Sequence, residues 1–378
     1  MSSEVNDALT ALNWLHGPVA DKPAPPPLGV RDFSTLPRCQ KDVIERVSNS
    51  VRSFRPPGPA PTRHEAAAEL LALGRSYSPE DPTTVVPYQP QLASLPDGSA
   101  RAVPMENVLA GEARKLLVEF DSRLLRTQDE VAFISQRDGP LSLYKDQNLR
   151  SSPSVYVSFI RRLVEAGIMS FTRSPLSRVT PFFVKKKNNR QRLVLDCRGV
   201  NRLFRKAPSM ELGAGYCLSE LTVPNGESLY ISQGDIKDCF YECGLPHELC
   251  RYFAFDPIKG NHAFGWGIHE VEGQQVSGNQ SLSPILRVCP MGWNWAFWFV
   301  QAAHIHVLEE QGFHRGIRLR DFAPAPTMAA ESPPISMPYC DNLTVLGFTA
   351  DRVECSREGV RRLQAVWLLD ARRDTRGT

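Results

Sequence analysis

The sequence predicts an α+β protein, and three observations carry that prediction. An amphipathic helix beginning at Pro153 leads into two strands, "PFFVKK" and "RLVLDC", joined by an Asn-Asn turn. Another strand, "SLYISQGDI", ends at a carboxylate, Asp235. A helix spaced by Trp295, Phe299 and Ala303 precedes a last hairpin, "MPYCDNLTVLG". With 378 residues and 42% hydrophobic content, the chain is long and apolar enough to bury a sizeable core.

Residues 1–105 are dense in proline ("GPVADKPAPPPLG", "FRPPGPAPT", "SPEDPTTVVPYQPQLASLPDG"), which breaks both helices and ladders. A largely extended, weakly ordered extension is expected there, with one short helix in "RHEAAAELLALGRS". Residues 106–150 read as a helical connector, dominated by an amphipathic helix over "MENVLAGEARKLLVEFDSRLL", which starts at Met105. The globular part is expected to begin at 153. Pro153 and Ser154 suit a helix start, Val155, Phe159 and Leu163 share a face with Ile160 and Val164, and Gly167 suits its end.

The hairpin after it has a basic tip whose asparagines tolerate left-handed backbone. In the last hairpin Asp341 and Asn342 are expected at the turn, where both residue types are favoured for backbone reasons. Residues 351–378 form a polar tail.

The formal charge of +3 hides an asymmetry. Residues 151–206 carry thirteen Lys or Arg against Glu165 and Asp196, a balance of +11, so the remainder is −8. Such a block is either a solvated face or the footprint of a surface that neutralises phosphates. Nine cysteines without paired spacing, and an N-terminus "MSSEVNDALT" lacking a basic and apolar leader pattern, point to a reducing intracellular setting, cytoplasmic or nuclear. Cys239, Cys243 and Cys250 with His262 and His269 match no CxxC-type zinc spacing. The apolar run "VCPMGWNWAFWFVQAAHIHV" is interrupted by Pro290, Gly292, Asn294, Gln301, His304 and His306, so no membrane span and no membrane partner are expected.

An acid at a strand end is ordinarily part of a solvated turn, so the neighbours of Asp235 and Asp238 in "ISQGDIKDCFYECGLP" must decide its meaning. They form an ordered series: a basic hairpin, a strand ending in Asp with Phe240 five residues on, a P-x-G-W turn opening a helix, and Y-x-D in a tight hairpin. In this order the chain resembles the reverse transcriptases of retroviruses and LTR-type retroelements, over about residues 153 to 350, with "RLVLDCRGVN" the most specific piece.

The resemblance implies an RNA-directed DNA polymerase with a right-hand fold: fingers at 151–206, and at 207–350 a palm of ferredoxin-like character that carries the catalytic motifs and a fingers insertion. It implies catalytic roles for Asp235, Asp341 and Asn342, and magnesium or manganese held by Asp235, Asp341 and the Ile236 carbonyl. Carboxylates from separate strands bridge two divalent ions, which hold an attacking 3′-hydroxyl and a departing pyrophosphate in line. It further implies triphosphate contacts from Lys186 and Arg192, Phe240 beneath the sugar excluding ribonucleotides, and Met291 and Gly292 at the template and incoming nucleotide. The implied partners are an RNA or DNA template with primer and deoxynucleoside triphosphates; protein partners are unknown.

The chain departs from that pattern in three ways. Asn342 stands where most of the family has a second Asp; Asp235 and Asp341 are 106 positions apart; and 37 residues follow Asp341, too few for a helical thumb. A truncated reverse transcriptase is therefore the expectation, and the rival is a catalytically weak or dead relic that still binds nucleic acid.

Overall fold

Ser152 opens the helix Pro153–Glu165 by accepting a hydrogen bond from the Val155 N–H, with Pro153 at the first position, where a missing N–H costs nothing. At the far end Gly167, at φ 76°, turns the chain so that the Ile168 N–H reaches the Leu163 carbonyl at 3.2 Å. Tyr156, Phe159, Ile160 and Leu163 are buried, while Val155 and Val164 only border the core. The computed structural model describes residues 85–96 and 102–353 except 187–188, 214, 225, 311, 314–316, 322, 330–331 and 352. All of these fall in the unit Ser78–Thr378. The predicted helix in "RHEAAAELLALGRS", most of the proline-rich extension and nearly all of the polar tail lie outside them.

The fold is mixed α and β with several small sheets, none of which closes into a barrel among the described residues. The strands in chain order are β1 (Val85–Val86), β2 (Ala93–Ser94), β3 (Val103–Pro104), β4 (Met169–Thr172), β5 (Thr180–Lys185), β6 (Gln191–Asp196) and β7 (Tyr230–Asp235). They continue with β8 (Cys243–Gly244), β9 (Ile258–Lys259), β10 (Glu270–Val271), β11 (Gln274–Gln275), β12 (Ser281–Leu286), β13 (Ile335–Tyr339) and β14 (Asn342–Gly347). The sheets are ordered β1-β5-β6-β2, β4-β12-β9 and β13-β14-β7, with two-stranded pairs β10-β11 and β3-β8. One large core runs through the first two sheets and the helices around them. No helix among the described residues is long and apolar enough to cross a membrane.

Two regions differ from the sequence expectation. The helix expected over 105–125 is three short pieces, Met105–Val108, Gly111–Val118 and Phe120–Arg123. Leu109 and Ala110 are extended between the first two and Gly111 has φ 53°, so the hydrogen-bond ladder cannot run through. Residues 85–96, expected in a weakly ordered extension, instead add β1 antiparallel to β5 and β2 parallel to β6. Tyr88 anchors them: its ring packs 5.1 Å from Phe159 and 4.8 Å from Phe183, and its N–H donates to buried Asp146. Pro87 and Pro90 lie between the two strands and Pro96 after them, so none removes a ladder donor from β1 or β2.

Candidate functional site

Asp235 and Asn342 are directly paired in the antiparallel β7–β14 ladder, and the next bond, Ile236 N–H to the Asp341 carbonyl at 2.8 Å, carries the pairing into the hairpin turn. The register therefore brings Asp235 and Asp341, far apart in sequence, to one end of one sheet. Partial burial, and after it the Asp341 carboxylate, raise the Asp235 pKa above the ordinary carboxylate value, while Lys186 and Arg192 pull it the other way. Three residues singled out by the sequence, Asp341, Lys186 and Arg192, thus act electrostatically on a fourth, Asp235.

The basic hairpin explains which lysine takes part. Val184 pairs with Arg192, and Lys186 lies two residues beyond Val184, so period-2 alternation puts Lys186 and Arg192 on one face of the hairpin. Lys185 pairs with Gln191 and belongs to the opposite face. Asn189 has φ 56°, the left-handed backbone expected of this turn, and the Lys186 N–H donates to the Arg190 carbonyl at 2.6 Å. The other face, with Phe183, Leu193 and Leu195, is buried in the core.

The second hairpin corrects the sequence reading. Tyr339 pairs with Asn342, so the two turn residues are Cys340 and Asp341, and Asn342 is the first residue of β14. Cys340 takes the left-handed conformation, φ 56°, that asparagine or glycine would adopt at lower cost. The Asn342 side-chain amide donates to Asp341 Oδ1 at 3.0 Å.

The helix Ala296–Glu310, whose predicted face of Trp295, Phe299 and Ala303 is buried, also holds this turn. Gln301 donates to the Pro338 carbonyl at 3.1 Å and accepts from the Cys340 N–H at 2.5 Å. His304 donates from Nδ1 to the Cys340 carbonyl at 2.7 Å. Both side chains are fully buried, and burial lowers the His304 pKa to about 4, so the ring is neutral near pH 7. Sequence reasoning read these residues only as interruptions of an apolar run. Two polar side chains three residues apart on the buried stripe of an otherwise apolar helix were the available signal.

Phe240 and Met291 border the large core, half-buried. Phe240 belongs to the helical turn Cys239–Glu242, which follows a left-handed Asp238 at φ 55°. The Ile236 carbonyl accepts the Cys239 N–H at 3.3 Å and so keeps one lone pair for another partner.

Gly292 has φ 126°, and a Cβ there would lie 2.3 Å from the Leu195 carbonyl oxygen, so the protein's own backbone already requires glycine. Asn201 ties this turn to the end of "RLVLDCRGVN": it donates to the Gly292 carbonyl at 2.9 Å and accepts the Asn294 N–H at 2.9 Å. In the same motif Asp196 accepts from the Arg198 guanidinium and from the Tyr144 N–H. Burial pushes the Asp196 pKa up, but those hydrogen bonds outweigh it and the net shift is downward.

Cys239, Cys243, Cys289 and Cys340 are buried thiols clustered behind the two carboxylates. The Cys239–Cys243 hydrogen bond, burial and nearby charge raise the Cys239 pKa, and burial together with Asp341 raises that of Cys340, so neither is a thiolate. Among the described residues no group of three or more His, Cys, Asp or Glu is placed to hold a metal ion.

Over 143 residues the chain is 29% identical to the Gag-Pro-Pol polyprotein of mouse mammary tumor virus (strain BR6). That match covers 38% of this chain and 7% of the polyprotein. No protein-family model matches the chain. The similarity points to a retroelement-related origin.

Proposed function

We propose that the chain is the fingers and palm of an RNA-directed DNA polymerase of the reverse transcriptase type, performing template-directed nucleotidyl transfer. The observation that carries this reading is the meeting of Asp235 and Asp341 at one sheet end, with Lys186 and Arg192 close enough to bear on Asp235. Two carboxylates at one sheet end, with partial burial and then like-charge repulsion raising the Asp235 pKa, form a hard-oxygen donor set suited to magnesium or manganese, and the remaining lone pair of the Ile236 carbonyl extends it. When bound, such an ion neutralises charge that accumulates on the transferring phosphoryl group.

The chain's own side chains do the rest. Lys186 and Arg192 bind triphosphate oxygens, and Arg192 offers a planar fork that lysine lacks. The Phe240 ring beneath the sugar excludes a ribose 2′-hydroxyl, while Met291 and Gly292 border the template base. The +11 segment holds the template–primer backbone.

The test is primer extension on RNA and DNA templates with magnesium or manganese, alongside template–primer affinity measured against salt. Incorporation of even a few deoxynucleotides by the wild type, lost in both Asp235→Ala and Asp341→Ala, is expected. Extension that survives both substitutions would refute the reading.

A second reading, a nucleic-acid-binding relic, is favoured by one observation: the Asn342 amide occupies an oxygen of Asp341 where a second carboxylate would repel it. Steep salt-dependent binding with no extension by wild type or by Asn342→Asp would select the relic.

A further inference from the structure

The geometry points to Gln301 and His304 as positioning residues that set the metal-binding geometry of Asp341 through the backbone of the hairpin turn. This rests on the polymerase reading above. Cys340 is neither glycine nor asparagine, yet it is left-handed at φ 56°, a conformation unfavourable for most residues. Such a conformation persists only where its surroundings over-determine it, and here they do.

Gln301 contacts the Pro338 carbonyl and the Cys340 N–H, two groups that point to the same edge of β13. Its amide supplies the donor and acceptor that a neighbouring strand would supply. His304 takes the remaining backbone group of the turn residue, the Cys340 carbonyl. The N–H and C=O on either side of the left-handed Cα are thus both fixed from one helix, and Asp341 follows directly.

The His304 bond also fixes its tautomer. A carbonyl only accepts, so Nδ1 carries the proton; Nε2 is buried without a hydrogen-bond partner. Leaving a buried ring nitrogen unsatisfied opposes folding. Leucine or methionine would fill the same space in an apolar helix without that cost, so the gain from His304 lies in the turn it holds.

The experiment combines three readouts on the full chain. In the wild type, long-range ¹⁵N–¹H spectra should show His304 as the neutral Nδ1–H form, and an Nε2–H form would overturn the inference without any substitution. Mn²⁺ affinity, read from free-ion EPR, should weaken about tenfold or more in Gln301→Leu and His304→Leu, the range typical when a ligand's supporting group is lost. His304→Asn places an amide donor near the Nδ1 position and should recover most of the affinity, whereas His304→Gln, whose donor reaches farther, should not. Equal Mn²⁺ affinity in Asn and Gln variants that both fold would overturn the proposal, and this comparison holds even if the leucine variants do not fold. If Asp235→Ala leaves wild-type Mn²⁺ binding intact, the polymerase reading fails. Amide exchange at Cys340, slow in wild type and His304→Asn and faster in His304→Gln, then still decides whether the turn is held from the helix.

Discussion

The two carboxylates reach the same sheet end by different means. Asp341 sits on a turn gripped from behind, and the strand that follows it is deeply buried: Leu343 is 2% and Val345 1% exposed. Asp235 ends an edge strand exposed almost throughout, with Tyr230 at 44% and Ile231 at 58%. Its backbone is paired with β14 along the whole strand. One half of the site is therefore built into the core and the other is hung on it by backbone hydrogen bonds, so disturbance of β14 should displace both acids while side-chain changes on β7 displace little.

The largest expected effect tests the buried half. Leu343→Ala should cost about 2–5 kcal/mol, the range for truncating a buried leucine. Ile231→Ala on the neighbouring strand should stay within about 0.5 kcal/mol, as for exposed positions. Denaturant midpoints of the two variants make the comparison, and similar losses would show that β7 is anchored by more than its ladder.

A smaller effect is expected at Asp196, whose carboxylate is buried against Arg198 and the Tyr144 N–H. Its folded pKa lies below the ordinary value, so its stabilisation is present above that value and is lost as pH falls through the folded one. Asp196→Asn should cost roughly 1.5–3 kcal/mol at pH 7, in line with hydrogen bonds to charged groups. The gap to wild type should close in acid. A pH-independent gap would assign the cost to packing instead.

How much of this was legible in the sequence follows from how locally each feature is determined. The basic hairpin and the strand ending at Asp235 announce themselves by alternation and turn residues, and they lie where expected, at β5–β6 and β7. The β1 and β2 strands do not, because two-residue strands among prolines have no period to read; only Tyr88, buried against distant aromatics, reveals why they pack. Turn propensity pointed to Asp341–Asn342, but the turn is Cys340–Asp341, since a side chain 39 residues away holds Cys340 where its own preference would not. The acids themselves were visible; the register that joins them, and the grip of Gln301 and His304, are tertiary facts.

The smallest expected effect bears on the exposed half of the site, and its sign matters more than its size. Asp235 has a folded pKa above the ordinary carboxylate value, from partial burial first and the Asp341 charge second. Between the two values the folded state holds more protons than the unfolded one, so stability falls as pH rises through that window. At neutral pH the ionised Asp235 is thus a net cost to folding, retained against its own stability. Asp235→Asn keeps the shape and removes the charge. It should equal or exceed wild type at pH 7 by less than about 1 kcal/mol, because solvent screens a partly exposed group. That advantage should vanish in acid, where wild-type Asp235 is itself neutral, and any Mn²⁺-induced rise in melting temperature seen in wild type should be lost. A variant less stable than wild type at pH 7 would mean that Lys186 and Arg192 outweigh the repulsion from Asp341, making Asp235 part of a stabilising ion cluster rather than an acid held in place for a cation.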